Sequence, residues 1–164
     1  MKYLVLLGLP LFVLDQLTKW LVRQNIPYGS EVPILPGFFS LVHASNTGAA
    51  FSMLTGNNIF FICLALGALA FILLLLVRSW RARSDRQRLN TVTQIAMSLL
   101  ASGILGNLTD RVLRGAVTDF LNFYYQGHYW PSFNVADSCI CVAAGLIVLA
   151  SLQKPRPTPL SAQK

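Results

Sequence analysis

The sequence predicts an all-α polytopic membrane protein. Four transmembrane helices are accompanied by a small extracytoplasmic β-sheet and a short surface helix. Three observations carry this. The 164 residues are 54% hydrophobic and only 12% charged, where a soluble domain carries about 25% charged residues. Four apolar runs, at about 3–22, 59–77, 92–110 and 135–152, each approach the length of a membrane span. The loops between them hold β-branched and aromatic residues broken by Pro and Gly.

The first run begins with Lys2 and an apolar stretch, as a signal peptide does, but no small-residue cleavage site follows. Asp15 and Lys19 continue it in helical register, so it reads as a retained helix. Ile59–Val77 has no charge at all. The third run is more polar, and Ser98, Ser102 and Gly106 repeat every four residues, giving one small face for close approach. The fourth ends before a Pro-rich basic tail. The whole reads as one membrane-embedded domain, 1–154, with a disordered cytoplasmic tail at 155–164.

The net charge of +7 does not point to nucleic acid, because five of the thirteen basic residues fall between Arg78 and Arg88, directly after an apolar run. That pattern faces anionic lipid headgroups. Placing both termini and this loop in the cytoplasm puts nine basic residues inside and four (Lys19, Arg23, Arg111 and Arg114) outside. The segments holding His43 and Asp119 then face outward. Cys63, Cys139 and Cys141 lie in apolar runs and read as small buried apolar residues.

Val32–His43 reads as short strands, and Ala116–Tyr125 as a further strand pairing with them. Gly48–Leu54 reads as the surface helix, with Phe51, Met53 and Leu54 dipping into the membrane.

Polar residues inside such a chain carry the functional question, since a charge at mid-span costs about 2.5–3.5 kcal/mol. Asp15 and Lys19, spaced i, i+4, form either a self-contained ion pair or support for a polar site. Asn107, Asp110 and Arg111 cluster at the outward end of the third helix; Asp110 and Arg111 could simply end it in water. Asn134 and Asp137 have the spacing of a capping box. Asp119 is either a solvated loop acid or the partner of Asp137. His43 and His128 are the only histidines, and no His-Glu-x-x-His or nucleophile-elbow pattern occurs. Two aspartates converging on one water is the chemistry this inventory allows, and a helix N-terminus favours the negative charge at Asp137. A proton relay through Asp15, Asp110, Asp119 and Asp137, or a noncatalytic scaffold, are the alternatives.

Five segments in order resemble the bacterial lipoprotein signal peptidases (signal peptidase II). They are Asp15-Gln-Leu-Thr-Lys19, Asn46-Thr-Gly-Ala-Ala-Phe51, Gly106-Asn-Leu-Thr-Asp-Arg111, Val117-Thr-Asp-Phe120 and Phe133-Asn-Val-Ala-Asp-Ser138. The resemblance implies an intramembrane aspartic endopeptidase of the bacterial inner membrane. Such an enzyme removes signal peptides from diacylglyceryl-modified prolipoproteins, cutting just before the lipidated cysteine. It implies Asp119 and Asp137 as the catalytic pair. Asn46, Gly48, Asn107, Arg111, Asn134 and Ala136 would shape the site, with Asp15, Lys19 and Asp110 as polar support. It implies the peptide antibiotic globomycin as an inhibitor, membrane lipids as surroundings, and no metal or organic cofactor. The chain departs from the family's Gly-Gly-Ala before the Gly-Asn of the third helix, carrying Ser102-Gly103-Ile104 instead.

Overall fold

The computed structural model describes residues 2–48, 56–84 and 88–152. The chain runs through a π-helical turn (Leu4–Gly8), α1 (Leu9–Asn25), β1 (Glu31–Leu35), β2 (Phe39–Asn46) and α2 (Asn58–Arg81). It continues through α3 (Thr91–Arg114), β3 (Val117–Tyr125), β4 (His128–Tyr129) and α4 (Val135–Leu152). Among the described residues, four helices are long and apolar enough to cross a membrane, the first running from Leu4 to Asn25. The wide turn lies directly upstream of Pro10, whose ring and missing N–H interrupt the regular i→i−4 ladder.

Helix ends follow local chemistry. The Asn90 side chain caps α3 by accepting from Thr93 N–H at 2.7 Å. Gly115, at φ +79°, closes it in the left-handed conformation that lacks a Cβ penalty. Helices α2 and α3 run past their apolar cores into Arg81 and Arg114, because long cationic side chains reach the interface while their backbone stays helical.

The sheet is antiparallel, in the order β1-β2-β3-β4. Thr118 pairs with Ser45 and Asp119 with Ala44, so the segment between α1 and α2 and the segment after α3 form one layer, as the sequence predicts. Pro33 sits on β1, the exposed edge strand, where a missing N–H removes no interior ladder bond. Val117–Phe120 are all buried. Phe120 packs with Val22 and Ile26 of the α1 end, joining sheet to bundle. The surface helix predicted at Gly48–Leu54 lies, beyond Gly48, outside the described residues, as does the tail at 155–164.

Large apolar side chains such as Phe71, Leu73, Leu74, Val148 and Leu149 point outward, which suits lipid and not water. Cys63 and Cys141 share this outward exposure, and only Cys139 is buried. The expectation of three buried cysteines is therefore corrected: an apolar run in a bilayer has an apolar outside too.

Inside the bundle α3 and α4 touch through glycine. A Cβ on Gly103 would stand 2.4 Å from the Ala136 carbonyl oxygen, and one on Gly106 would stand 2.6 Å from an Asp15 carboxylate oxygen. Ile104, the family departure, is half-buried beside this contact. Gly103→Ala should separate α3 from α4 and lower stability by about 1–3 kcal/mol. Melting in detergent checks this, and an unchanged transition would contradict the close approach.

Candidate functional site

The site forms where the sheet meets the C-terminal ends of α1 and α3 and the N-terminal end of α4. Asp137 is in the first turn of α4, directly after Asn134. Asn134 Oδ1 accepts the Asp137 N–H at 2.9 Å, and Asp137 Oδ2 accepts the Asn134 N–H at 3.2 Å. This is the reciprocal capping box the spacing predicts. The same Asn134 side chain does more. Its Nδ2 donates to Asp119 Oδ1 at 2.7 Å and to the Thr118 carbonyl at 3.3 Å. One buried amide therefore ties both acids together.

Each acid has a second amide. Asn107 Nδ2 donates to Asp137 Oδ1 at 2.7 Å, and Asn46 Nδ2 donates to Asp119 Oδ2 at 3.1 Å. Asp119 is 3% exposed, so the solvated-loop reading of this residue is excluded. Burial first, then the charge of Asp137 beside it, pushes the Asp119 carboxyl up to about 7, against the opposing pull of Asn46, Asn134 and Lys19.

Beneath the acids lies an ion cluster. Lys19 Nζ is 3.0 Å from Asp15 Oδ2 and 3.5 Å from Asp110 Oδ2, and it donates to Asn107 Oδ1 at 2.9 Å. Lys19, Asp15 and Asp110 are all buried. The Asp15–Lys19 pair is therefore not self-contained, and Asp110 does not end its helix in water. Asp110 Oδ2 accepts the Thr118 N–H at 3.0 Å, which pins β3 to α3 one residue before Asp119. Asp15 Oδ1 accepts the Ala136 N–H at 2.8 Å, so α1 caps the start of α4.

Arg111 closes the rim. Its Nη2 donates to the Gly48 carbonyl at 2.6 Å, and its guanidinium lies 4.4 Å from the Phe61 ring centroid. Gly48 N–H in turn donates to Asn46 Oδ1 at 3.0 Å. Among the described residues, Arg111 Nη1 and Asn58 Oδ1 are buried polar atoms with no protein partner.

All eleven residues singled out in the sequence meet in this one network. The structure adds Arg23, Arg114, Gln16, Thr118 and Phe61. Arg114 donates to Asp110 Oδ1 at 2.9 Å, Arg23 lies 3.6 Å from the same oxygen, and Gln16 Nε2 donates to the Gly106 carbonyl at 3.1 Å. Their signal was available for two: Arg114 is four residues after Asp110, and Arg23 four after Lys19, each on the same helix face. Thr118 contributes a backbone N–H, and Phe61 a ring from a distant helix, neither of which sequence spacing reveals. Among the described residues no three His, Cys, Asp or Glu side chains converge as metal ligands would.

A family model described as signal peptidase (SPase) II matches residues 7–153. The chain is 43% identical over 145 residues to the lipoprotein signal peptidase of Symbiobacterium thermophilum, covering 88% of this chain and 91% of that one. It is 41% identical over 162 residues to the lipoprotein signal peptidase of Nitratidesulfovibrio vulgaris, covering 96% and 94%. A solved bacterial membrane enzyme superposes with a TM-score of 0.83 at 29% identity, over 96% of this chain and 95% of that chain.

Removing one partner from a buried charge cluster costs about 3–5 kcal/mol, because the others stay buried without compensation. Asp110→Asn strands Lys19 and loosens β3, so it should lower the detergent melting transition by that order. A variant as stable as the parent would show the cluster to be incidental.

Proposed function

We propose an aspartic mechanism for this chain, which belongs to the signal peptidase II family and is an integral bacterial inner-membrane peptidase of the lipoprotein-processing type. The substrate is a diacylglyceryl-modified prolipoprotein, and the bond cut is the one just before the lipidated cysteine. The observation that carries the mechanism is the Asn134 bridge between two buried acids, Asp119 and Asp137.

Two neighbouring carboxyls in a low-dielectric site share one proton. Asp119, with its carboxyl held up to about 7, keeps that proton, and Asp137 is the base. A water held between them gives its proton to Asp137 as its oxygen attacks the scissile carbonyl carbon. Asp119 donates its proton to the carbonyl oxygen, giving a tetrahedral diol. The diol then collapses: Asp137 passes its proton to the leaving nitrogen, the C–N bond breaks, and a diol hydroxyl returns a proton to Asp119. The pathway uses no metal or organic cofactor.

The surroundings fit this substrate. Arg111, Gly48 and Asn46 form a polar rim able to hold an extended peptide backbone. The lipid anchor would lie along the outward apolar faces of the helices. With both termini cytoplasmic, the acids stand near the outer leaflet surface, at the depth where a lipidated cysteine presents its peptide bond. Globomycin, a peptide, would occupy the same place. A transmembrane proton relay finds less support, since Asp15, Asp110, Asp119 and Asp137 meet in one cluster and are not spread through the bilayer.

Asp119→Asn and Asp137→Asn, each assayed on a lipid-modified precursor in detergent, should lower cleavage by at least about 10²–10⁴-fold while the protein stays folded. Retained activity in either ends the acid-pair assignment. Because Asp119 must be protonated, kcat should fall as the pH rises through about 7. The fold also favours the protonated form. The stability this lends is complete below the ordinary carboxylate range and is lost as the pH rises through about 7. The drop in melting temperature between pH 5 and pH 8 should therefore shrink in Asp119→Asn; an equal drop would show that Asp119 does not titrate there.

A further inference from the structure

An asparagine amide has two ends that cannot be told apart by shape, so its orientation is set by what each end meets. Three asparagines serve the acid pair, and each has one end fixed by a group that can only donate. Asn46 Oδ1 meets the Gly48 N–H at 3.0 Å, and Asn134 Oδ1 meets the Asp137 N–H at 2.9 Å. Asn107 Oδ1 meets the Lys19 ammonium at 2.9 Å. Every Nδ2 is thereby turned toward a carboxylate.

The three are not equivalent. Those serving Asp119 are fixed by neutral backbone groups, whereas the one serving Asp137 is fixed by a cation. A buried ammonium polarises the amide it donates to, and hydrogen bonds in a chain strengthen one another where the dielectric is low. Asp137 Oδ1 therefore accepts from the far end of a charge-assisted chain, at 2.7 Å. Its Oδ2 accepts from the Asn134 backbone at the start of α4, where the helix dipole adds in the same sense.

Resting on the acid-pair reading above, we infer that Lys19 is a positioning residue of the reaction: acting through the Asn107 amide, it assigns the negative charge to Asp137 and leaves the shared proton to Asp119. Lys19 does not touch the reacting atoms. It is fully buried, with Asp15 and Asp110 as its ion partners. Asp15 also faces α4, through Ala136 N–H, and its charge reaches Asp137 and Cys139. Arg111 of α3 feels the charge of both acids, and the charge of Asp137 reaches Asp119 of β3. Arg23 and Arg114 are engaged with Asp110. The charge of Lys19 reaches both acids, but the hydrogen-bonded chain through Asn107 ends on Asp137, and that chain distinguishes one acid from the other.

The test is the pH profile of kcat at saturating lipid-modified precursor, whose lower limb reports ionisation of the base in the bound state. Lys19→Gln keeps a donor for Asn107 but removes the charge. Asn107→Ala cuts the chain and leaves the Lys19–Asp15–Asp110 cluster intact, so it serves if the first variant does not fold. Each should move the lower limb to higher pH by about one unit, a loss of about tenfold on the acid side, with kcat recovering as the pH is raised. A lower limb that stays in place in a folded variant, with kcat reduced evenly at every pH, overturns the inference and makes Lys19 purely structural. Asp119→Asn and Asp137→Asn, run alongside, separate the two failures. Activity in either removes the acid pair itself, whereas two dead acid variants with an unmoved limb remove only the role of Lys19.

Discussion

A lysine ammonium buried in an apolar bundle cannot be left alone, and that constraint organises the molecule. Lys19 has three hydrogens to place and no surface exposed to solvent, so it draws Asp15, Asp110 and Asn107 around it. Each of these has a second obligation. Asp15 holds the start of α4 through Ala136, Asp110 holds β3 through Thr118, and Asn107 holds Asp137. Satisfying one charge thereby fixes three helices and a strand in register.

Close packing makes this possible. An Ala at position 106 would collide with Asp15, and one at position 103 would collide with the Ala136 carbonyl. Lipid offers little hydrophobic drive for helix association, so the polar contacts need helices near enough to make them. Small residues supply the approach and the ion cluster supplies the specificity. The large apolar residues face the bilayer and contribute little to the choice of partner.

The proposed acid pair stands on this foundation and adds a tension of its own. Two carboxyls are brought together away from water, which raises the energy of their charged forms. Amide donors from Asn46, Asn107 and Asn134 offset part of that cost. A site built this way is preorganised, since the asparagines are already oriented before substrate arrives.

Much of this was legible in the chain. The four spans followed from apolar length, the strands from Pro and Gly punctuation, and the capping box from the spacing of Asn134 and Asp137. Short-range signals also held the Asp15–Lys19 and Asp110–Arg114 pairs, since helix geometry places i and i+4 together. What spacing could not decide was the burial of Asp110 and Asp119, because an acid in a loop or at a helix end has the same sequence appearance wet or dry. Nor could it tell that Cys63 and Cys141 face outward, for an apolar run has no distinct inside when its surroundings are lipid.

The sequence by itself determined which segments span, where β1, β2 and β3 lie, and that several charges had to find partners. Only the tertiary structure decided which partners they found. The contacts between Lys19 and Asn107, Asp15 and Ala136, and Asn134 and Asp119 join residues far apart in the chain or on different elements. Their pairing depends on how closely glycine lets the helices approach, and that is a property of packed backbones in three dimensions.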